Sequence, residues 1–153
     1  MADLSNENGV FPKDSHEGTK DTEDTKLNEN EIGRVIIDTA IDLHRKLGPG
    51  LLESVYEVIL IKYLFQKGLY VQRQVSIPIK FEGELFDEGF RVDIFVQGKV
   101  IIELKSIEKV TNAHKKQLLT YLKLTDTKVG YILNFGTELM KNGIFRIINC
   151  EIN

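Results

Sequence analysis

Three charged residues stand inside the two most apolar segments of this chain. Asp93 interrupts one aliphatic run, and Glu103 and Lys105 flank Leu104 at the end of the next one. Burying such charges is unfavourable unless they are paired or hold a metal. Carboxylates that converge beside a lysine bind hard cations and prime a water molecule for hydrolysis. The two segments therefore predict a hydrolytic metal site, provided that they bring the three side chains together.

Whether the charges meet depends on the register of the hairpin that the two segments form. The apolar faces are Val92, Ile94 and Val96 on the first strand and Val100, Ile102 and Leu104 on the second. Because side chains alternate between faces, these sets match only across a loop with an odd number of residues. We predict the loop Val96–Gly98, with Gly98 in the left-handed conformation. The opposite face then carries Arg91, Asp93, Phe95, Ile101, Glu103 and Lys105. The alternative is a half-exposed hairpin with ordinary surface charges.

The composition indicates one compact domain, since the chain has 153 residues and is 42% hydrophobic. It contains no apolar run long enough for a membrane span and no apolar signal segment at its N-terminus. Cys150 is the only cysteine, so no intrachain disulfide can form. This usage predicts a reducing, cytoplasmic location.

The net charge of −3 is unevenly distributed. Residues 1–31 contain nine acids and three lysines and almost no large apolar side chains. We predict that this acidic tail is disordered, because it cannot bury enough surface to order itself. Residues 32–153 hold fourteen acids and seventeen bases and form the predicted folded domain. Its slightly basic balance is compatible with a polyanionic partner.

Hydrophobic periodicity predicts an α/β protein. Helices are expected at Ile32–Leu47 after an Asn30 cap, at Glu53–Gln66 and at Asn112–Leu124. Strands are expected at Tyr70–Phe81, on both sides of the hairpin loop, and at Val129–Asn134 and Ile144–Ile148. Pro78 marks the first strand as an edge or a bend. The order of helix, helix, three strands, helix and two strands indicates a sandwich with a mixed sheet.

Two helices carry further candidate side chains. Glu53 lies in the first turn of the second helix, one turn from Glu57, where the helix dipole alone would favour an acid. Gln117 and Tyr121 are four residues apart and share one face of the third helix. They either rim the core or aim at the hairpin charges, where they could bind a phosphate or orient Lys105.

The basic candidates are less specific. His44 lies on the first helix, where it either contacts a substrate or fills a structural position. Lys116 belongs to the basic run His114–Lys116, which is either solvated or a phosphate contact. No histidine pair has zinc-ligand spacing, and neither a phosphate-binding glycine loop nor a nucleophile elbow is present.

Together these segments resemble the GxxExxY proteins, a family within the PD-(D/E)XK nuclease superfamily. The naming motif stands at Gly50–Tyr56. The superfamily signature, an aspartate followed on the next strand by Glu-x-Lys, matches Asp93 and Glu103–Lys105, although Val92 stands at the proline position. The Gln-x-x-x-Tyr helix motif matches Gln117–Tyr121, and Val129–Gly136 is similar to the last core strand. The resemblance covers about Ile32 to Ile148.

The resemblance implies a restriction-endonuclease-like α/β sandwich, with a central mixed sheet flanked by helices, and a nuclease that acts on DNA with Mg²⁺ or Mn²⁺. Asp93, Glu103, the Leu104 carbonyl and Glu53 would ligate the metal. Lys105 would position or deprotonate the attacking water, and Gln117 and Tyr121 would hold the scissile phosphate or the lysine. The expected substrate contacts are His44, Tyr56, Arg91 and Lys116.

Two other readings stay open. The chain could be a nucleic-acid-binding or partner-binding module on the same fold without hydrolysis, or the triad could be a buried ion-pair network. No membrane partner is expected. The oligomeric state is left open, a homodimer included.

Overall fold

The helices and strands of this chain follow the predicted order in a computed structural model, which describes residues 27–150. The predicted disordered tail lies mostly outside the described residues. The elements are α1 (Glu29–Leu47), α2 (Glu53–Gln66), β1 (Val71–Phe81), β2 (Glu84–Val96), β3 (Val100–Lys105), α3 (Asn112–Leu124), β4 (Val129–Asn134) and β5 (Ile144–Ile148), with a short 3-10 helix at Met140–Gly143 before β5. The predicted α/β sandwich with a mixed sheet is confirmed.

The sheet has five strands in the order β1-β2-β3-β4-β5. All neighbours are antiparallel except β3 and β4, which run parallel because α3 connects them. Helices α1 and α2 cover one face, where Tyr56 and Ile94 are buried. Helix α3 covers the other face, where its Leu118 lies in one buried cluster with Ile101 of β3. Burying each large apolar side chain stabilises the fold by about 1.5–3 kcal/mol, so these two layers hold the sheet that carries the charged residues.

Helix α1 begins at Glu29, three residues before the predicted start at Ile32. Asn28, rather than Asn30, is the N-cap. Its side chain accepts a hydrogen bond from the Glu31 amide at 2.8 Å, and the Glu31 carboxylate accepts one from the Asn28 amide at 2.9 Å. This reciprocal capping box satisfies two amides of the first turn and extends the helix into the segment predicted to be tail.

Strands β1 and β2 form a long ribbon that continues beyond the end of β3. The ribbon turns at Glu82 and Gly83, which both have positive φ, of 50° and 83°. Strand β1 lies at the edge of the sheet, as Pro78 predicted. Because β3 has only six residues, the outer part of β2 pairs with β1 alone.

At Gln74 and Asp93, the side chains of the ribbon stop alternating regularly between the two faces of the sheet. Strand β1 pairs Arg73 with Ile94 and Val75 with Val92, which leaves Gln74 opposite Asp93. The φ of Gln74 is +51°, outside the range of a regular strand, so the alternation of side chains is interrupted here although the pairing register is kept. Val92 consequently packs on the α3 side, whereas Ile94 packs under α1 and α2. The predicted common face of Val92, Ile94 and Val96 is therefore wrong for Val92.

Candidate active site

Asp93 and Glu103 meet where β2 and β3 separate. The two strands pair only from Ile94–Ile102 to Val96–Val100. The loop is therefore Gln97–Lys99, not the predicted Val96–Gly98, although its odd length and the left-handed Gly98 (φ 61°) are confirmed. The predicted loop would have put Asp93 opposite Ile101. The observed register, continued by one residue, puts Asp93 opposite Glu103.

Each of the two carboxylates is bound to the backbone of the other strand. The Leu104 amide donates to Asp93 Oδ2 at 2.9 Å, and the Asp93 amide donates to Glu103 Oε1 at 3.3 Å. Because the strand ladder has ended here, these side chains accept hydrogen bonds from amides that would otherwise lack a sheet partner. The bonds hold both acids in the gap between the strands.

Burial and charge together favour the protonated form of Glu103. Desolvation, followed by the nearby Asp93 carboxylate, raises its pKa from 4.5 to about 9, while the Lys105 charge acts in the opposite direction. Two carboxylates in a shared, partly buried site cannot both ionise readily. A cation between them would relieve this repulsion.

The oxygen-rich donor set fits a hard cation. Mg²⁺ commonly takes one or two carboxylates and keeps several waters, and Asp93, Glu103 and the Leu104 carbonyl supply oxygen atoms of this kind. Among residues 27–150, no three acidic, histidine or cysteine side chains are grouped closely enough to form a complete ligand set by themselves. Any site here would therefore depend on water and substrate oxygens as additional ligands.

Lys105 lies beside these acids without forming an ion pair with them. In the part of the chain that the structure describes, the ion pairs within 4.0 Å are Lys46–Asp42 and Arg73–Glu57. Lys105 nevertheless lowers the pKa of both Glu53 and Glu103 through its charge. Among residues 27–150, Lys105 thus acts on the acids through its charge and not through an ion pair within 4.0 Å.

Glu53 reaches the same region from the first turn of α2. Burial raises its pKa, the Lys105 charge lowers it, and the Asp93 charge raises it. A cleft of about 390 Å³ lies between α2 and the strands. It is lined by Leu52, Glu53, Ser54, Glu57, Gln74, Asp93 and Leu104. The cleft therefore brings together three of the four predicted metal ligands, and Glu103 adjoins it through Asp93.

Tyr56 supports this arrangement from inside the core. Its side chain is fully buried and stacks on Phe135 with ring centroids 4.4 Å apart. Its hydroxyl donates to the Gly48 carbonyl at 2.5 Å and accepts from the Leu51 amide at 3.2 Å. The buried hydroxyl thus secures the loop that leads into α2 and Glu53, and it does not line the cleft.

Replacing Tyr56 by phenylalanine is expected to lower the free energy of unfolding by about 0.5–1.5 kcal/mol, because the Gly48 carbonyl and the Leu51 amide lose a partly buried hydrogen-bond partner. Urea unfolding followed by circular dichroism measures the change. An unchanged unfolding midpoint would contradict the anchoring role assigned to this hydroxyl.

Helix α3 brings Tyr121 towards the acids. The Tyr121 ring stacks on Phe90 of β2 with centroids 3.8 Å apart. Burial, followed by the charges of Glu103 and Asp93, raises the pKa of its hydroxyl. Gln117 lies one turn earlier and is exposed. The helix therefore presents a phenol near the carboxylates, with an exposed amide next to it.

The remaining predicted contacts lie elsewhere or face solvent. His44 is buried, its Nε2 is 2.8 Å from the Thr137 carbonyl oxygen, and it lines a separate cavity with Arg45 and Leu139. Arg91 on β2 and Lys116 on α3 are exposed. The structure does not bring His44 to the Asp93 cleft.

Sequence reasoning missed Gln74 and underrated Glu57. The Gln74 amide donates to both Glu57 Oε1 and Asp93 Oδ1, so both residues belong to the site. In the sequence, Gln74 is the last of three consecutive polar residues between Val71 and Val75, and such residues ordinarily face solvent. Glu57 is the only acid one turn after Glu53, and its spacing was the available signal.

Comparison with known proteins identifies one family. A family model described as the PD-(D/E)XK nuclease superfamily matches residues 30–147, which is most of the chain. No curated protein and no solved structure gives a match. Within residues 27–150, no helix has the length and apolar character needed to cross a membrane.

Proposed function

Because this chain belongs to the PD-(D/E)XK nuclease superfamily, we propose that it is a Mg²⁺-dependent nuclease that hydrolyses DNA phosphodiester bonds. We also propose that it is one of the GxxExxY proteins, on the match of Gly50–Tyr56 to their motif. The observation that carries the proposal is the meeting of Asp93 and Glu103 at the separation of β2 and β3, with Lys105 nearby.

The proposed site uses oxygen ligands and one free amine. Asp93, Glu103 and the Leu104 carbonyl would hold the ion, and Glu53 would complete the protein ligands by moving closer when the ion binds. When bound, Mg²⁺ or Mn²⁺ would activate a water molecule and offset charge on the phosphate. Lys105 would hold or deprotonate the attacking water and stabilise the negative charge of the transition state. The leaving group would be the 3′ oxygen, so each cut would leave a 5′-phosphate.

Side chains around the acids would position the substrate. Tyr121 would hydrogen-bond the scissile phosphate or the Lys105 amine, and Gln117 would assist from the same helix. Arg91 and Lys116 would contact backbone phosphates further away, since both are exposed cations. We place the activity in the cytoplasm, where the exposed thiol of Cys150 would stay reduced.

A cleavage screen tests the proposal. Wild-type protein is incubated with linear, circular, single-stranded and branched DNA and with RNA, in Mg²⁺, in Mn²⁺ and in EDTA. We expect metal-dependent cleavage of DNA, with 5′-phosphate ends, that EDTA abolishes. Binding without cleavage of any substrate, and without any need for metal, would instead favour a non-hydrolytic binding module.

Replacing Lys105 by alanine in the same assay is expected to lower the cleavage rate by about 10²–10⁴-fold, as for loss of a proton-transfer group. Lys109→Ala, which removes an exposed lysine shortly after β3, is the matched control and should cleave at the wild-type rate. Equal cleavage rates for the Lys105→Ala variant and the wild-type protein would refute the role given to this amine.

A further inference from the structure

Gln74 adopts a backbone conformation that its position in a strand does not explain. Four non-glycine residues between 27 and 150 have positive φ: Gln74, Glu82, Gln97 and Asp126. Glu82 and Gln97 lie in the two hairpin turns, and Asp126 follows the end of α3. Gln74 alone among these four lies inside a strand. Such strained conformations persist where the surrounding contacts demand them, and they often mark functional positions.

The backbone conformation of Gln74 lets its side chain link Glu57 of α2 to Asp93, the candidate metal ligand. The Gln74 amide nitrogen donates to Glu57 Oε1 at 2.8 Å and to Asp93 Oδ1 at 3.2 Å. The Arg73 guanidinium donates to the same Glu57 oxygen at 3.2 Å. The Glu57 side chain is only 8% exposed, so it is a fixed point from which the glutamine amide is held.

The result for Asp93 is that both of its carboxylate oxygens are engaged. Gln74 binds Oδ1, and the Leu104 amide binds Oδ2 at 2.9 Å. Two partners on different strands determine the rotation of the carboxylate about its χ2 bond. The donor on Oδ1 is a neutral amide, which orients the carboxylate without cancelling the negative charge that a cation needs. An arginine in the same place would form an ion pair and compete with the metal.

We propose that Gln74 is a positioning residue, anchored by Glu57, that holds the Asp93 carboxylate in the orientation required for metal binding. This inference rests on the proposed function, because it concerns the same ion. Outer partners of metal-binding carboxylates commonly change metal affinity or activity by about 10–100-fold when they are removed. If Gln74 positions Asp93, replacing it should lower metal affinity more than it lowers the free energy of unfolding, whereas a purely structural strand residue would mainly affect stability.

The test compares Gln74→Met with wild type. Methionine keeps the unbranched length and the backbone strain and removes only the amide. We expect the Mn²⁺ concentration for half-saturation, measured by calorimetry, to rise about tenfold or more. The kcat for DNA cleavage should fall while the KM for DNA stays the same. Hydrogen exchange at the Leu104 amide should quicken, because its acceptor becomes free to rotate.

Two controls and a second test variant separate positioning from folding. Gln72→Met removes an amide from the same strand outside the cleft, and it should match wild type in all readouts. Gln74→Gly relieves the positive φ and provides a second test protein if the methionine variant does not fold. Glu82→Gly relieves the same kind of strain in the distant turn and should leave Mn²⁺ binding unchanged.

The readouts also distinguish this inference from the nuclease proposal. If wild type binds Mn²⁺ but cleaves nothing, the nuclease proposal fails, and the Mn²⁺ affinities still decide the role of Gln74. If wild type binds no Mn²⁺, the inference fails together with the metal site. Wild-type Mn²⁺ affinity and Leu104 exchange in a folded Gln74 variant would overturn the inference and leave the nuclease proposal intact.

Discussion

Replacing Asp93 by asparagine is expected to reduce metal-dependent cleavage by about 10³-fold or more, the upper range for removing one preorganised electrostatic group. Asparagine has nearly the same shape, and its carbonyl oxygen can still accept the hydrogen bond from the Leu104 amide. The variant should therefore fold. What it loses is the negative charge at the point where β2 and β3 separate and the hydrogen bond from Gln74, whose donor would face the asparagine NH2 group, and with them the affinity for Mg²⁺. Initial cleavage rates over a Mg²⁺ titration measure the effect.

The matched control for Asp93→Asn is Asp87→Asn. Asp87 lies on the same strand but in the exposed outer part of the ribbon. The Asp87→Asn protein should cleave and bind Mg²⁺ like wild type, because Asp87 is exposed and does not line the Asp93 cleft. Cleavage at the wild-type rate by a folded Asp93→Asn protein would end the assignment of this site.

The stability of the metal-free protein is expected to fall as pH rises from about 4.5 to about 9, because of Glu103. Its pKa is 4.5 in its ordinary state and about 9 in the folded chain. Between these values the folded protein keeps a proton that the unfolded chain has released, so raising the pH favours unfolding. The stabilisation is complete below the lower pKa and is lost as pH approaches the upper one. The total is several kcal/mol, since one unit of pKa corresponds to about 1.4 kcal/mol.

Glu103→Gln should remove the largest part of this dependence, and what remains comes from Glu53 and Glu57, whose pKa values are also raised by burial. The glutamine is neutral at every pH, so in EDTA the variant should be more stable than wild type at pH 8 and similar to it near pH 4.5. Urea unfolding at a series of pH values measures both proteins. Glu108→Gln, which alters an exposed acid just beyond β3, is the control and should follow the wild-type curve. Parallel curves for the Glu103 variant and wild type would contradict the burial of a protonated Glu103.

The charged hairpin illustrates how far the sequence analysis could go. The alternation of apolar residues predicted an odd loop and a left-handed Gly98, and both are confirmed. Alternation constrains only the parity of the register, and a shift of two residues preserves it. It therefore could not distinguish Val96–Gly98 from Gln97–Lys99. The observed pairing of Val96 with Val100 is the one that brings Asp93 opposite Glu103.

The sequence also predicted the limits of two helices correctly and the start of the third incorrectly. The helical periodicity of α2 and α3 predicted Glu53–Gln66 and Asn112–Leu124, and the structure has the same limits. For α1, periodicity indicated where apolar contact with the core begins, at Ile32. The true start depends on the reciprocal hydrogen bonds of Asn28 and Glu31, which extend the helix by a turn that contributes little to the core.

The sequence alone determined the class of the fold and predicted Asp93, Glu103 and Lys105 as site residues, because periodic burial and charges within apolar strands are local properties of the chain. Only the tertiary structure decided that Val92 turns to the α3 side, that Tyr56 is buried beneath the loop before α2, and that Gln74 joins Glu57 to Asp93. The Gln74 contacts, for example, join Glu57 of α2 to Asp93 of β2 through a β1 residue with a positive φ. No local periodicity encodes such a contact, since it depends on how α2 packs against the ribbon.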